Sequence, residues 1–274
     1  MDTLMGKKIG FLGCGNMSVV LMSSMIQSGA VDPQQVWASN RSPRKLENAV
    51  QSLGIQKAAN NDELLEKCDI IVIAVKPQDY HEAIEPIASQ FEEDHIIVSL
   101  AAGISLDSMK RLFFKSSNLI RVMPNTPVKI GKGVLGLTCA HSAQHLLPLM
   151  ENLFSGGGYI VKVEEGEPFE AVTVGAGSGV GFVFELMLYW QEWLEEHGLS
   201  REEARQVTVQ TFLGASELAL QSSSLSLDEL QRKVVSKKGV TAAGLDSMRE
   251  LEIERAIRYS FEKAVLRDRD LGKS

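Results

Sequence analysis

The sequence is poor in cysteine, short of positive charge and without a long apolar run. Its three cysteines, Cys14, Cys68 and Cys139, are odd in number and widely spaced. That excludes a disulfide framework and a CxxC metal knuckle, and points to reduced, packed thiols with no metal site. The longest unbroken apolar run, Ile70 to Val75, is six residues, whereas a membrane-spanning helix needs about 18, so no span is expected. Asp2 and Lys7-Lys8 precede an apolar stretch too short for the core of a secretory signal, which implies a cytoplasmic location. Lys and Arg total 28 against 35 Asp and Glu, a net charge of −7. Such a balance withholds the positive field that general nucleic-acid or membrane-surface binding requires. What remains is ordinary globular material, 44% hydrophobic and 23% charged. At about 100–200 residues per domain, the length allows one large domain or two ordinary ones.

The first part of the chain alternates. Short β-branched runs at Lys8–Leu12, Val36–Ser39, Ile70–Val75, Ile96–Leu100, Asn118–Val122, Gly133–Thr138 and Gly158–Val163 are separated by helical stretches. That rhythm predicts βαβ units in a doubly wound, mostly parallel α/β sheet covered on both faces. After the polar turn Glu164-Glu165-Gly166-Glu167-Pro168 strand signals vanish, so a Rossmann-type domain over 1–165 and an all-helical domain over 166–274 are expected. In the second, Phe182 to Glu195 carries aromatics and aliphatics on several faces and should be buried almost all round, ending at Gly198. Ser200 with Glu203, and Ser226 with Glu229, form capping boxes for helices to about Leu220 and Val235. A last helix is expected from roughly Ala242 to Arg267. So much apolar helix surface calls for a partner copy, making a homo-oligomer the expected state.

The chemical signals begin at Gly10-Phe11-Leu12-Gly13-Cys14-Gly15-Asn16-Met17-Ser18, between a strand and a helix predicted over Asn16–Gln27. Gly13 permits a tight turn, Gly15 lets a pyrophosphate approach the backbone, and the helix N-terminus offers free N–H groups. Ser18 stands where a third glycine is usual. The end of the second strand, Ala38-Ser39-Asn40-Arg41-Ser42, has no acid to accept from a ribose 2′-hydroxyl. Arg41 can instead engage a 2′-phosphate, which favours NADPH and leaves NADH possible. Two further strand ends, Ala74-Val75-Lys76-Pro77 and Ala101-Ala102-Gly103, should border the same crevice, and Arg121-Val122-Met123-Pro124-Asn125-Thr126-Pro127 follows the next strand.

The ordered set of Gly13-Cys14-Gly15-Asn16-Met17, Ala74-Val75-Lys76-Pro77, Ala101-Ala102-Gly103, Met123-Pro124-Asn125-Thr126-Pro127 with Gly131-Lys132-Gly133, and Gly177-Ser178-Gly179 resembles the pyrroline-5-carboxylate reductases over nearly the whole chain. The resemblance implies reduction of the cyclic imine 1-pyrroline-5-carboxylate to proline, the last step of proline synthesis. It also implies an N-terminal Rossmann domain and C-terminal helices that interlock between subunits in a homodimer or larger assembly. By it Leu12, Gly13, Cys14, Gly15, Asn16 and Met17 would hold the pyrophosphate, and Asn40, Arg41 and Asn61 the adenosine end. Ala74, Val75, Lys76, Pro77, Leu100, Ala101 and Ala102 would line the dinucleotide. The family's substrate loop, Ser-Pro-Gly-Gly-Thr-Thr, reads here Ser236-Lys237-Lys238-Gly239-Val240-Thr241. Ser236, Gly239 and Thr241 match; Lys237, Lys238 and Val240 depart. Gly177-Ser178-Gly179 continues as Val180-Gly181-Phe182 where the family has Pro-Ala-Tyr.

Apart from the resemblance, backbone N–H groups from Gly239 onward, ahead of a helix expected near Ala242, suit a carboxylate. The Thr241 hydroxyl suits an imine nitrogen that becomes basic as it is reduced, though a helix N-cap is an alternative role. Lys237 and Lys238 either strengthen anion binding or line a solvated loop. His141 and His145, four apart on an expected amphipathic helix, lack a third ligand and read as surface residues. Gly175 to Gly179 reads as close helix packing or substrate clearance. The sequence thus supports an NADPH-using reductase of a small imino acid. A reductase of another cyclic imino acid and a non-catalytic paralogue stand as alternatives.

Overall fold

A computed structural model of the chain describes residues 4–272. The chain divides into two compact units, one running to Ser178 and taking in the chain from Ala264 onward, the other Gly179–Lys263. In the first, β1 (Ile9–Leu12), β2 (Val36–Ser39), β3 (Gln56–Lys57), β4 (Ile70–Ile73), β5 (Ile96–Ser99), β6 (Leu119–Pro124), β7 (Gly133–Cys139) and β8 (Gly158–Lys162) form a single sheet in the order β3-β2-β1-β4-β5-β6-β7-β8. Every pairing is parallel except β6 with β7. Here the doubly wound expectation holds. The strand it lacked is β3, two polar residues at the sheet edge, where no apolar run marks a strand.

The strands are apolar on both faces because both faces are covered. Ile70 and Val72 join one core with Phe11, Val36, Leu21, Met22 and Leu149. Ile71 and Ile73 point the other way into a second core with Tyr80, Ile84, Phe91 and Phe113. The covering helices are α1 (Asn16–Gln27), α2 (Pro43–Leu53), α3 (Asn61–Lys67), α4 (Tyr80–Ile84), α5 (Leu106–Leu112) and α6 (Leu147–Phe154). Each expected cysteine is a free thiol: burial pushes Cys68 up to about 12 and raises Cys14 and Cys139.

Helices follow from there: α7 (Glu167–Val172), a π-helical stretch Thr173–Ser178, α8 (Gly179–Glu196), α9 (Arg201–Gln221), α10 (Leu227–Val234), α11 (Val240–Glu250) and α12 (Ile253–Leu271). Both capping boxes form, Ser200 accepting from the Glu203 N–H and Ser226 from that of Glu229. Gly198 ends α8, its N–H on the Glu195 carbonyl at 3.1 Å. Several expectations need correction. The glycine run at 175–179 lies largely within the wide π turn and leads into α8 at Gly179, inside a helical run that begins at Glu167. The last helix is two helices, since Glu252 takes the left-handed conformation at φ 52° and breaks it without a glycine or proline to signal the break. His141 and His145 lie on a short 3-10 turn, and among the described residues no metal-holding cluster exists.

The largest correction concerns α8. Expected to be buried almost all round, it is exposed at Phe184 (58%), Leu188 (50%), Trp190 (44%) and Trp193 (57%). Within its unit α9 covers only part of it, Phe212 meeting Trp190 edge-on at 5.4 Å between ring centres. By length and composition the run Glu167–Glu196 could also cross a membrane. Its exposed aromatics, on a helix whose other side packs on α9, suit a protein partner, and a second copy supplies an equally apolar one. Phe184 and Leu188 share a face. Changing both to Glu should shift the protein to a smaller species in sedimentation velocity while leaving its helical content intact; an unchanged species would show that this face is not the interface.

Candidate active site

The sheet order fixes where a ligand can sit. From β1 the chain winds outward through β2 and β3, and from β4 the other way through β5 and β6, so the carboxyl ends of β1 and β4 flank the switch point. In open α/β sheets that is the ligand crevice. Gly13 leaves β1 with φ +101°, and a Cβ there would meet the Ala74 carbonyl oxygen at 2.9 Å. Its N–H donates to the Ser39 carbonyl at 3.0 Å, and the Ala74 N–H to that of Leu12 at 2.9 Å. Thus the ends of β1, β2 and β4 are tied at one glycine.

At Gly15 the situation is reversed. It caps α1 in extended conformation with no side-chain cap, and an added Cβ would meet nothing within 4 Å. The Val19 N–H bonds the Gly15 carbonyl, so those of Asn16, Met17 and Ser18 ahead of it have no helical acceptor. Open space above free N–H groups at a positive dipole end fits a pyrophosphate. The buried Ser18 hydroxyl there has no partner among the described residues. Cys14 is buried, and burial raises its thiol pKa against the pull of Lys45, so it stays uncharged beside an anion.

The adenosine end is knit by side chains. Asn40 Oδ1 accepts from the Cys14 N–H at 3.0 Å while its Nδ2 donates to the Ser42 carbonyl. Ser39 Oγ donates to Asn61 Oδ1 at 2.7 Å, bringing Asn61 to the end of β2. Arg41 is exposed and makes no hydrogen bond or ion pair among the described residues, which leaves its guanidinium to a ligand phosphate. On the far side of the crevice Ala74 and Val75 are half-buried, Lys76 is exposed, and Pro77 starts a short 3-10 turn. The Leu100 N–H donates to the Ile73 carbonyl at 3.0 Å, and the Ala101 N–H to Ser99 Oγ at 3.3 Å, with Ala102 half-buried beyond. All the dinucleotide candidates therefore fall in the first unit on one sheet edge.

The loop 236–241 belongs to the second unit. Its helix, α11, begins at Val240, two residues earlier than expected, and Gly239 is the N-cap. Thr241 thus lies in the first turn, not at the cap. The Gly239 N–H is spent on the Ser236 carbonyl at 2.9 Å, which leaves those of Val240, Thr241 and Ala242 without a helical acceptor. A Cβ on Gly239 would collide with Ser236 Oγ, and Lys238 turns the loop at φ 59°. The Thr241 hydroxyl is exposed and has no partner among the described residues.

Two arrangements escaped the sequence reading. Asn125 of the Met-Pro-Asn-Thr-Pro string is a bracket, its Oδ1 accepting from the Val134 N–H at 2.9 Å and its Nδ2 donating to the Ala176 carbonyl at 3.1 Å. Arg121, a lone charge in the apolar strand β6, is 5% exposed, pairs with Glu165 at 2.8 Å and lies 4.3 Å over the Phe169 ring. That lone charge is the signal that could have found it. Nearby, burial pushes the Asp268 carboxyl above its usual range, with Arg121 and the Gly103 N–H pulling it back.

Comparison with known proteins agrees with this geometry. Residues 167–271 match the family model for pyrroline-5-carboxylate reductase dimerisation, and 8–103 one described as NADP oxidoreductase, coenzyme F420-dependent. Pyrroline-5-carboxylate reductase 2 of Bacillus subtilis (strain 168) is 30% identical over 267 residues, 97% of this chain and 95% of its own. The chain belongs to the pyrroline-5-carboxylate reductase family. The reductase of Methanosarcina acetivorans is also 30% identical, over 97% of this chain and 98% of its own. Among solved structures, a pyrroline-5-carboxylate reductase of Coxiella burnetii aligns with a TM-score of 0.88 at 28% identity, covering 98% of this chain and 99% of that one. A Plasmodium falciparum family member solved with NADP bound shares the fold at a TM-score of 0.86 and 23% identity, over 97% and 98% of the two chains. Helices α7 to α12 thus fall within the dimerisation match, which supports homo-oligomerisation.

The two loop glycines separate folding from binding. Gly13→Ala meets backbone and a positive φ and should lower the melting temperature. Gly15→Ala fills open space and should leave stability within about 0.5 kcal/mol, while weakening NADPH binding, read by fluorescence titration, by about tenfold or more. Undiminished binding by Gly15→Ala would remove the pyrophosphate from this turn.

Proposed function

We propose that this chain reduces 1-pyrroline-5-carboxylate to proline with NADPH in preference to NADH. The observation that carries the reading is the acid-free end of β2, where Arg41 stands unpaired beside the uncapped helix N-terminus of α1. NADPH, when bound, supplies the hydride. Leu12 to Met17 form the turn that holds the pyrophosphate, chiefly on the N–H groups of Asn16 and Met17, since those of Gly13 and Cys14 are spent on Ser39 and Asn40. Asn40, Arg41 and Asn61 take the adenosine end, Arg41 on the 2′-phosphate. Ala74 to Pro77 and Leu100 to Ala102 wall the dinucleotide. The substrate carboxylate falls to the free N–H groups of Val240, Thr241 and Ala242 with Ser236 beside them. Thr241 positions the imine nitrogen and the proton it acquires. The Rossmann domain is taken as 1–165 and the helical domain as 166–274. Free, widely spaced thiols and a biosynthetic role support a cytoplasmic location.

The altered loop gives a second reading its foothold: Lys237, Lys238 and Val240 in place of Pro, Gly and Thr suit an imino acid of different shape or charge. Purified protein assayed by NADPH oxidation should turn over pyrroline-5-carboxylate and not pyrroline-2-carboxylate. The opposite preference establishes the second reading, and binding of NADPH with no turnover of either establishes a non-catalytic paralogue. Loss of a charged hydrogen bond is worth about 1.5–3 kcal/mol, so Arg41→Asp should shift preference toward NADH by tenfold or more; an unmoved ratio would reject the 2′-phosphate contact. Thr241→Ala should lower kcat by about tenfold with unchanged NADPH affinity, and a wild-type rate would remove Thr241 from the mechanism.

A further inference from the structure

The turn after β5 is gripped by residues remote in sequence. Gly103 adopts φ +75°, and a Cβ there would meet the Asp268 carbonyl oxygen and the Gly272 backbone nitrogen at 2.6 Å, so the end of α12 lies directly on it. Asp268 is 8% exposed, the Gly103 N–H faces its carboxylate, and its Oδ1 has no partner among the described residues. Three residues on, the N–H of Leu106 donates to Glu165 Oε1 at 2.9 Å, and Arg121 Nη1 donates to the same oxygen at 2.8 Å. Arg121 stands opposite Ser99 in the β5–β6 register, and Ser99 Oγ accepts the Ala101 N–H. A separate pair, Arg269 with Glu170 at 2.6 and 2.9 Å, fastens the same end of α12 to α7.

Ala101 packs into the second core, but Ala102 and Gly103 offer little side chain to pack, so the place of the turn beyond Ala101 is set by its neighbours. We propose that Asp268, with Arg121 and Glu165, is a positioning element that holds the Ala101-Ala102-Gly103 turn where it orients the nicotinamide end of the dinucleotide for hydride transfer. The proposal rests on the reading of Leu100 to Ala102 as a cofactor wall. None of the three residues needs to touch the cofactor; each acts through the backbone of the turn. Placement matters because a displacement of about 1 Å at a reacting centre can cost a hundredfold in rate.

The test uses the full chain carrying Asp268→Ala. Without cofactor, hydrogen exchange across 101–106 should speed up while the rest of the sheet keeps its protection. With NADPH and pyrroline-5-carboxylate, kcat should fall by about tenfold or more, and the primary isotope effect with deuterated NADPH should rise. Asp268→Asn, which keeps shape and an acceptor, should recover most of the rate. Glu151→Gln, which breaks the pair with Lys162 on β8 and touches neither the turn nor α12, should leave the isotope effect unmoved. Should Asp268→Ala fail to fold, Glu165→Gln takes its place in the same comparison. Wild-type exchange, kcat and isotope effect in a folded variant would overturn the proposal, whatever happens to Tm. Ala102→Leu separates the premise: an unchanged NADPH affinity would sink the cofactor wall and the proposal with it. A weakened one beside a wild-type Asp268→Ala would sink the proposal alone.

Discussion

The positive φ of Gly13 is the constraint on which the cofactor edge depends. With its N–H on the Ser39 carbonyl and the Ala74 backbone where a side chain would be, Gly13 allows β1, β2 and β4 to end at a common level. Only from that turn can α1 start with its N-terminus over the crevice and its first N–H groups unpaired. The same closeness lets Asn40 reach the Cys14 N–H and Asn61 reach Ser39. The edge is therefore largely built before any ligand arrives, and binding need order little beyond the exposed side chain of Arg41.

Both faces of the sheet follow from the same economy. Strands β1, β4 and β5 are four residues each, apolar but for Ser99 at the end of β5 and buried throughout, and their alternate residues feed two separate cores. Into this apolar layer the chain inserts one charge, Arg121. Removing one partner of such a buried pair typically costs about 3–5 kcal/mol, so a position in β6 that a hydrophobe could fill carries instead a fixed cation, paired with Glu165 and stacked on Phe169. That network ties the sheet, the 164–166 loop and the end of α12 around one turn.

The sequence was legible where local chemistry and tertiary demand agree. Seven of the eight strands show as apolar runs, and the capping boxes at Ser200 and Ser226 start helices where side-chain chemistry requires. The dinucleotide motif reads correctly as strand, turn and helix because Gly13 answers a backbone requirement and Gly15 keeps the space at the start of α1 open. What escaped is what only tertiary structure decides. Gln56–Lys57 is a strand because β2 lies beside it, and Glu252 breaks a helix with no local signal. The start of α11 at Val240 changes Thr241 from a cap into a first-turn residue. Apolar α8 reads as a buried helix, yet within the single chain several of its large side chains stay exposed, on a stretch that matches a dimerisation domain.

The central claim is that one edge of the sheet, prepared around Gly13, receives the dinucleotide. Hydrogen exchange with and without NADPH measures it directly. Protection is expected at the amides of 13–18, 40–41, 74–77 and 100–103, with little change across β7 and β8. Protection confined to other segments, or none at 13–18, would contradict it.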